Sequence, residues 1–142
     1  MSGPPRQLPP PSSRFLLPTL GAVTYVAALV AFWGFLSLGL DRDVVDYPDA
    51  SPLLGPAMAA AGCLVTWVAL VRSRGSRHPG VEVVASGILS LAAMLLVSAI
   101  GYAPAAALHF ALSPFVLGAA ALSALTVLVT RLVGSSAVSG II

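Results

Sequence analysis

Polar and apolar positions alternate in long blocks along this chain, and the apolar blocks are too long for the interior of a small soluble domain. Uncharged apolar runs fall at about 16–40, 53–71, 83–102 and 108–130, separated by short segments rich in Arg, Asp, Pro and Gly. The first run has 25 residues, about 37 Å as a helix, against a hydrocarbon core of roughly 30 Å. The second has 19 residues and spans about 28 Å, close to the same thickness. The runs are apolar on nearly every face, unlike the one-sided helices of soluble proteins, and none has the two-residue alternation of a barrel strand. The pattern predicts an all-α integral membrane bundle of four transmembrane helices.

Local signals place the boundaries. Ser51-Pro52 supplies an N-cap and first-turn pair for the second helix, and Pro18 is expected in the first turn of the first. Pro104 marks the break between the third and fourth helices. Pro114 removes the N–H that would pair with the Phe110 carbonyl, so a kink or an opened turn is expected within the fourth. Residues 1–14 are proline-rich and almost free of apolar side chains, and read as a disordered cytoplasmic tail. Residues 15–133 form the transmembrane domain, and 134–142 a short cytoplasmic C-terminal tail. Arg6 and Arg14 ahead of the first helix resemble the start of a signal peptide, but the apolar run exceeds the roughly 7–15 residues of one, so it is expected to remain uncleaved.

Composition agrees with the pattern. The chain of 142 residues is 58% hydrophobic and 8% charged, where a soluble domain carries roughly 25% charge. Too few charges exist to cover a wet surface, so the lipid bilayer is the expected partner. A net charge of +2 invites a nucleic-acid reading, but seven scattered arginines make no phosphate-tracking stripe. Their placement sets orientation instead. Arg6, Arg14, Arg72, Arg74, Arg77 and Arg131 fall on one side of the four spans, and Arg42 alone on the other. Arginine-rich loops stay in the cytoplasm, so both termini are expected inside, in a multi-pass protein of the bacterial plasma membrane. The bacterial reading rests on the absence of Lys and Asn beside abundant Arg, Ala, Gly and Pro, a mark of GC-rich coding.

Candidate chemistry is sparse. Asp41, Asp43, Asp46 and Asp49 crowd the loop between the first two helices, yet the spacing departs from a calcium loop: Val45 occupies the third ligand position and no Gly follows. We read it as a solvated outer loop, with no metal site. Glu82 sits where the macrodipole of the third helix favours an anion, and is expected at the interface. His109, Ser113 and Tyr102 lie near the outer end of the fourth helix and could make a small polar mouth at headgroup level. Cys63 is the only cysteine, which rules out a disulfide within the chain and a cysteine zinc site. No ionisable side chain falls in the middle of any apolar run. No phosphate-binding glycine loop, HExxH pair or credible Ser/His/Asp set occurs either. The sequence thus gives no catalytic, cofactor-binding or metal-binding residue, and the expectation is a protein that is not an enzyme.

The runs do contain small and hydroxylated residues at helical spacing. Gly55, Ala59 and Cys63 share one face of the second helix, Ala120 and Ala124 one face of the fourth, and Ser86, Ser90 and Ser98 add hydroxyls to the third. Such stripes let backbones approach in lipid, so the Gly55–Ala59–Cys63 face is expected against protein. Ser51-Pro52-Leu53-Leu54-Gly55 and Ser113-Pro114-Phe115-Val116-Leu117-Gly118 are alike, and both helices descend from the outer side, which raises a possible hairpin duplication.

Pro9-Pro10-Pro11, Leu53-Leu54-Gly55-Pro56-Ala57 and the run from Ala111 through Ser113-Pro114-Phe115 to Ala119 together resemble small four-helix membrane proteins of actinobacteria that have no assigned function. The resemblance implies the four-helix fold and brings no mechanism, ligand or active residue. The functional expectation is a non-enzymatic helical bundle or accessory subunit, as a homo-oligomer or as part of a larger membrane complex. The alternative is a transporter or channel component for a neutral or lipidic solute.

Overall fold

Apolar side chains and unbroken internal hydrogen bonding make a helix the natural state of each long run, since a lipid-facing backbone must satisfy its own polar groups. The computed structural model describes residues 12–45, 51–73 and 76–139, with side chains at 15–45, 51–73 and 76–135. Among these residues five helices occur and no strand: α1 (Ser12–Leu40), α2 (Leu54–Ser73), α3 (Pro79–Gly101), α4 (Pro104–Ala111) and α5 (Pro114–Ser139). Four are long and apolar enough to cross a membrane: Phe15–Leu40, Leu54–Ser73, Pro79–Gly101 and Pro114–Ser135. Large apolar side chains such as Leu38, Leu64, Ile88 and Leu96 remain exposed on their outer faces, as lipid contact requires.

The ends differ from the sequence expectation in instructive ways. Residues 12–14, assigned to the tail, form the first turn of α1, and Pro18 therefore lies in the second turn rather than the first. The remainder of the expected tail, residues 1–11, lies outside the described residues. α1 stops at a left-handed Asp41 (φ 49°), where the Arg42 N–H bonds the Ser37 carbonyl at 3.3 Å and the Ser37 hydroxyl bonds the Arg42 carbonyl at 2.7 Å. That six-residue closure is a Schellman stop, with Asp tolerating a conformation that glycine usually supplies. α3 starts a turn earlier than residue 83, because Pro79 is preorganised for the first helical position. α5 carries helix through Ser139, into the expected C-terminal tail.

The larger correction concerns the run at 108–130. It is not one kinked helix. α4 ends at Ala111 and α5 begins at Pro114, and the Phe110 carbonyl, deprived of a Pro114 N–H, accepts the Ser113 N–H at 3.0 Å instead. Ser113 then opens α5, its carbonyl taking the Leu117 N–H at 3.0 Å. The Ser-Pro pair thus starts a helix, as Ser51-Pro52 does ahead of α2, where Ser51 Oγ accepts the Leu53 N–H at 3.3 Å.

The long helices alternate in direction and pack with α1 and α3 at opposite corners, their backbones apart, while α2 and α5 approach across the remaining diagonal. The main core joins Tyr25, Leu29 and Trp33 of α1, Met58 of α2, Met94 of α3, Phe110 of α4, and Phe115 and Val116 of α5. Gly55 is buried, and Ala59 and Cys63 pack half-buried against this core, so the small-residue face of α2 does meet protein. Its deepest line, however, runs through Met58, Gly62, Thr66 and Ala69. The α5 stripe behaves as expected: a Cβ placed on Gly87 of α3 would lie 3.3 Å from the Ala120 carbonyl oxygen and 3.4 Å from Ala124 Cβ.

Candidate functional site

The bundle interior has two polar levels divided by an apolar one. At the central level Thr66 of α2 donates to the Gly62 carbonyl at 2.8 Å, and its oxygen lies 2.8 Å from Ser123 Oγ of α5. With the Thr66 proton so used, Ser123 supplies the proton of that contact; the Ser86 carbonyl of α3, at 3.4 Å, is its longer alternative. One turn further, Tyr25 of α1 crosses the bundle. Its hydroxyl donates to the Ala119 carbonyl at 3.4 Å and faces Ser90 of α3, a fully buried hydroxyl whose Oγ has no hydrogen bond of ordinary geometry among the described residues. Tyr25 reaches that far because Gly62 stands in its path without a side chain. A Cβ there would be 2.7 Å from the Tyr25 hydroxyl and 3.2 Å from Ser90 Oγ. Near the far end, Trp33 Nε1 donates to the Phe115 carbonyl at 3.0 Å. These bonds end on backbone carbonyls or another hydroxyl, and neither is basic enough to activate a nucleophile. Their work is to join α1, α2, α3 and α5 at mid-depth.

Sequence reasoning named Ser86 and Ser90 and missed Tyr25, Gly62, Thr66 and Ser123. A signal was present. Thr66 is the fourth residue after Gly62, and Ser123 lies between Ala120 and Ala124 on the α5 stripe.

Toward the arginine-rich end, Ala69, Leu70 and Val127 form a second, smaller core with Val83 packed on it. Beyond this layer the helices part around a cleft of about 960 Å³. Its walls are largely apolar, with Leu17, Leu70, Val83, Val84 and Leu128 among them. Arg131 is the only charged residue among the described lining residues. It is half-buried, and one terminal nitrogen donates to the Ser73 carbonyl at the end of α2. Its Nε is buried with no acceptor among the described residues. An apolar cleft closed from the middle of the bundle, with a constrained guanidinium at its edge, can hold an amphiphile better than it can do chemistry.

The other candidates are dispersed. Asp41 and Asp43 are exposed at the opposite end, while Asp46 and Asp49 lie outside the described residues. Among the described residues no three His, Cys, Asp or Glu side chains converge as metal ligands. Glu82 is in the first turn of α3, as expected, and is not among the described residues lining the cleft. Of the expected polar mouth, His109 and Ser113 line a small cavity of about 170 Å³ with Arg42 and Asp43, and Tyr102 is not among its described lining residues. His109 itself is exposed, its ring set edge-on to Phe110 with centroids 5.4 Å apart.

No curated protein and no solved structure matches the chain. A family model described as a family of unknown function (DUF6121) matches residues 13–141, from the first turn of α1 to the end of the chain but one residue.

Proposed function

The chain belongs to that family of unknown function, and we propose that it acts as a non-enzymatic helical bundle, an accessory subunit of a larger membrane assembly. In this reading it lies in the bacterial plasma membrane with both termini in the cytoplasm. The observation that carries the proposal is the use of the central hydroxyls. Thr66, Ser123 and Tyr25 bond other helices or their own backbone, so the polar groups at mid-depth hold the bundle together instead of facing a path or a substrate. Interhelical bonds of this kind contribute roughly 0.6 kcal/mol each in a membrane. The exposed flanks of α1 and α3, with Phe35, Leu38, Ile88 and Leu96 outward, are free to meet lipid or a partner helix.

Purification in a mild detergent tests the proposal. A second protein recovered in fixed ratio with this chain supports the subunit reading. Recovery as a monomer or homodimer with no companion, from cells expressing the chain at its natural level, argues against it.

A second reading, a transporter component for a neutral or lipidic solute, is favoured by the cleft at the arginine-rich end. It requires the layer of Ala69, Leu70 and Val127 to part, since that layer closes the cleft from the middle of the bundle. Solute uptake into vesicles that carry the purified protein separates the two readings.

A further inference from the structure

We propose that the cleft at the arginine-rich end binds an acidic phospholipid, an acyl chain between the helices and the lipid phosphate on the Arg131 guanidinium. Three independent features of the cleft support this occupant. Its volume, about 960 Å³, and its Leu and Val walls fit a hydrocarbon chain, and Val84, Leu128 and Leu132 at its rim are exposed on the outer faces of α3 and α5, so it opens toward the surrounding lipid.

The second feature is the arginine. One terminal nitrogen of Arg131 is fixed on the Ser73 carbonyl, which orients the planar guanidinium. Nε is buried and lacks an acceptor among the described residues. A buried guanidinium donor without an acceptor is a costly arrangement, and a phosphate diester oxygen supplies both the hydrogen bond and the countercharge. A neutral solute would leave the charge uncompensated. A free phosphate would leave the apolar walls wet.

Depth is the third. Arg131 bonds the carbonyl of Ser73, which stands between Arg72 and Arg74 at the close of the second apolar run, and so lies at the level where headgroups meet hydrocarbon. Arg72 and Arg77 are exposed at the same end, and basic pockets between membrane helices at this level suit anionic headgroups. Glu82, the carboxylate described at this end, is not among the described lining residues, and Arg131 is the charge among them.

Thermal melting of the purified full chain in an uncharged detergent, titrated with lipid, tests the assignment. The probes are dioleoyl phosphatidylglycerol, dioleoyl phosphatidylcholine and inorganic phosphate. Phosphatidylglycerol should raise Tm by several degrees, at least twice the shift from phosphatidylcholine, while inorganic phosphate should give little. Arg131→Gln should abolish the preference. Because that change also removes the bond to Ser73, a second variant acts on the walls alone. A Cβ added at Gly134, in the cleft lining, meets nothing within 4 Å among the described residues, so Gly134→Phe puts a ring into the cleft and keeps the Arg131 charge. Gly134→Phe should melt like the parent without lipid and lose the phosphatidylglycerol shift. Equal shifts from the two lipids would overturn the role of charge. An equal shift from inorganic phosphate would overturn the lipid, and a preference that survives Gly134→Phe would place the lipid elsewhere.

Discussion

A Cβ at Gly62 would stand 2.5 Å from Met94 Cε and 2.7 Å from the Tyr25 hydroxyl, so one hydrogen atom in place of a methyl group decides whether three helices can share the bundle centre. Met94 can give way at its flexible end, but the Tyr25 ring is stiff and would have to leave the Ala119 carbonyl. Gly62→Ala should therefore cost about 1–3 kcal/mol through overpacking. Ala59→Leu, on the half-buried flank of the same helix, should cost less, and Leu64→Ala, at a position 63% exposed, should change little. Melting the three variants in one detergent gives the order, and a Gly62→Ala protein as stable as the parent would mean the helices are not packed this closely. Thr66 and Ser90 make an opposite pair. Thr66→Val removes a hydroxyl that bonds twice and should destabilise by about 1 kcal/mol, whereas Ser90→Ala removes a buried oxygen without a regular partner and should be neutral or stabilising. The same melts report both signs.

Among the elements, α4 departs most from the reading of the sequence. An apolar run with an interior Pro reads as a kinked span, and the run from 108 to 130 is long enough to cross a bilayer by itself. What the pattern hides is that Ser113 can end one helix and start another, leaving α4 as an eight-residue piece. α4 buries Ala106 and Phe110 and exposes Leu108 (79%), and Leu112 (84%) is exposed just past its end, so apolar side chains point both ways, as in a helix lodged between protein and lipid. Phe110 is its anchor in the main core. Phe110→Ala should cost on the order of 2 kcal/mol, the cavity part of the usual penalty, since lipid supplies no hydrophobic drive. Pro114→Ala should shift stability by less than about 1 kcal/mol, because Pro at a first helical position leaves no bond unmade. Hydrogen exchange across residues 104–112 checks both: faster exchange in Phe110→Ala and parent-like exchange in Pro114→Ala are expected. If Pro114→Ala instead slows exchange strongly at 112 and 113, the two helices have fused and the break belongs to the proline alone.

For the whole molecule, four spans were legible because apolar runs of this length have one solution in lipid, and the Ala120–Ala124 stripe marked a close helix contact without naming α3 as the partner. The centre and the cleft were not legible. Both depend on which faces of four separate helices meet, and near-uniform apolar helices carry little facial signal in their sequence. Single residues such as Gly62 and Arg131 take their meaning only from neighbours on other helices. Orientation is a different kind of property, set by charge during insertion and not by packing. The arginine count is six against one, and Arg72 in the last turn of α2 with Arg74 and Arg77 in the short link to α3 crowd one end. Placing that end outside would carry three guanidinium groups across the bilayer, against the retention of basic short loops in the cytoplasm. Asp43 lies at the other end, exposed, just past the close of α1. In a Cys63→Ala background, a cysteine introduced by Asp43→Cys should react with a membrane-impermeant maleimide in intact cells, and one introduced by Arg77→Cys only after permeabilisation. Reversed labelling at the two positions would mean that the arginine-rich end, and the cleft with it, faces outward.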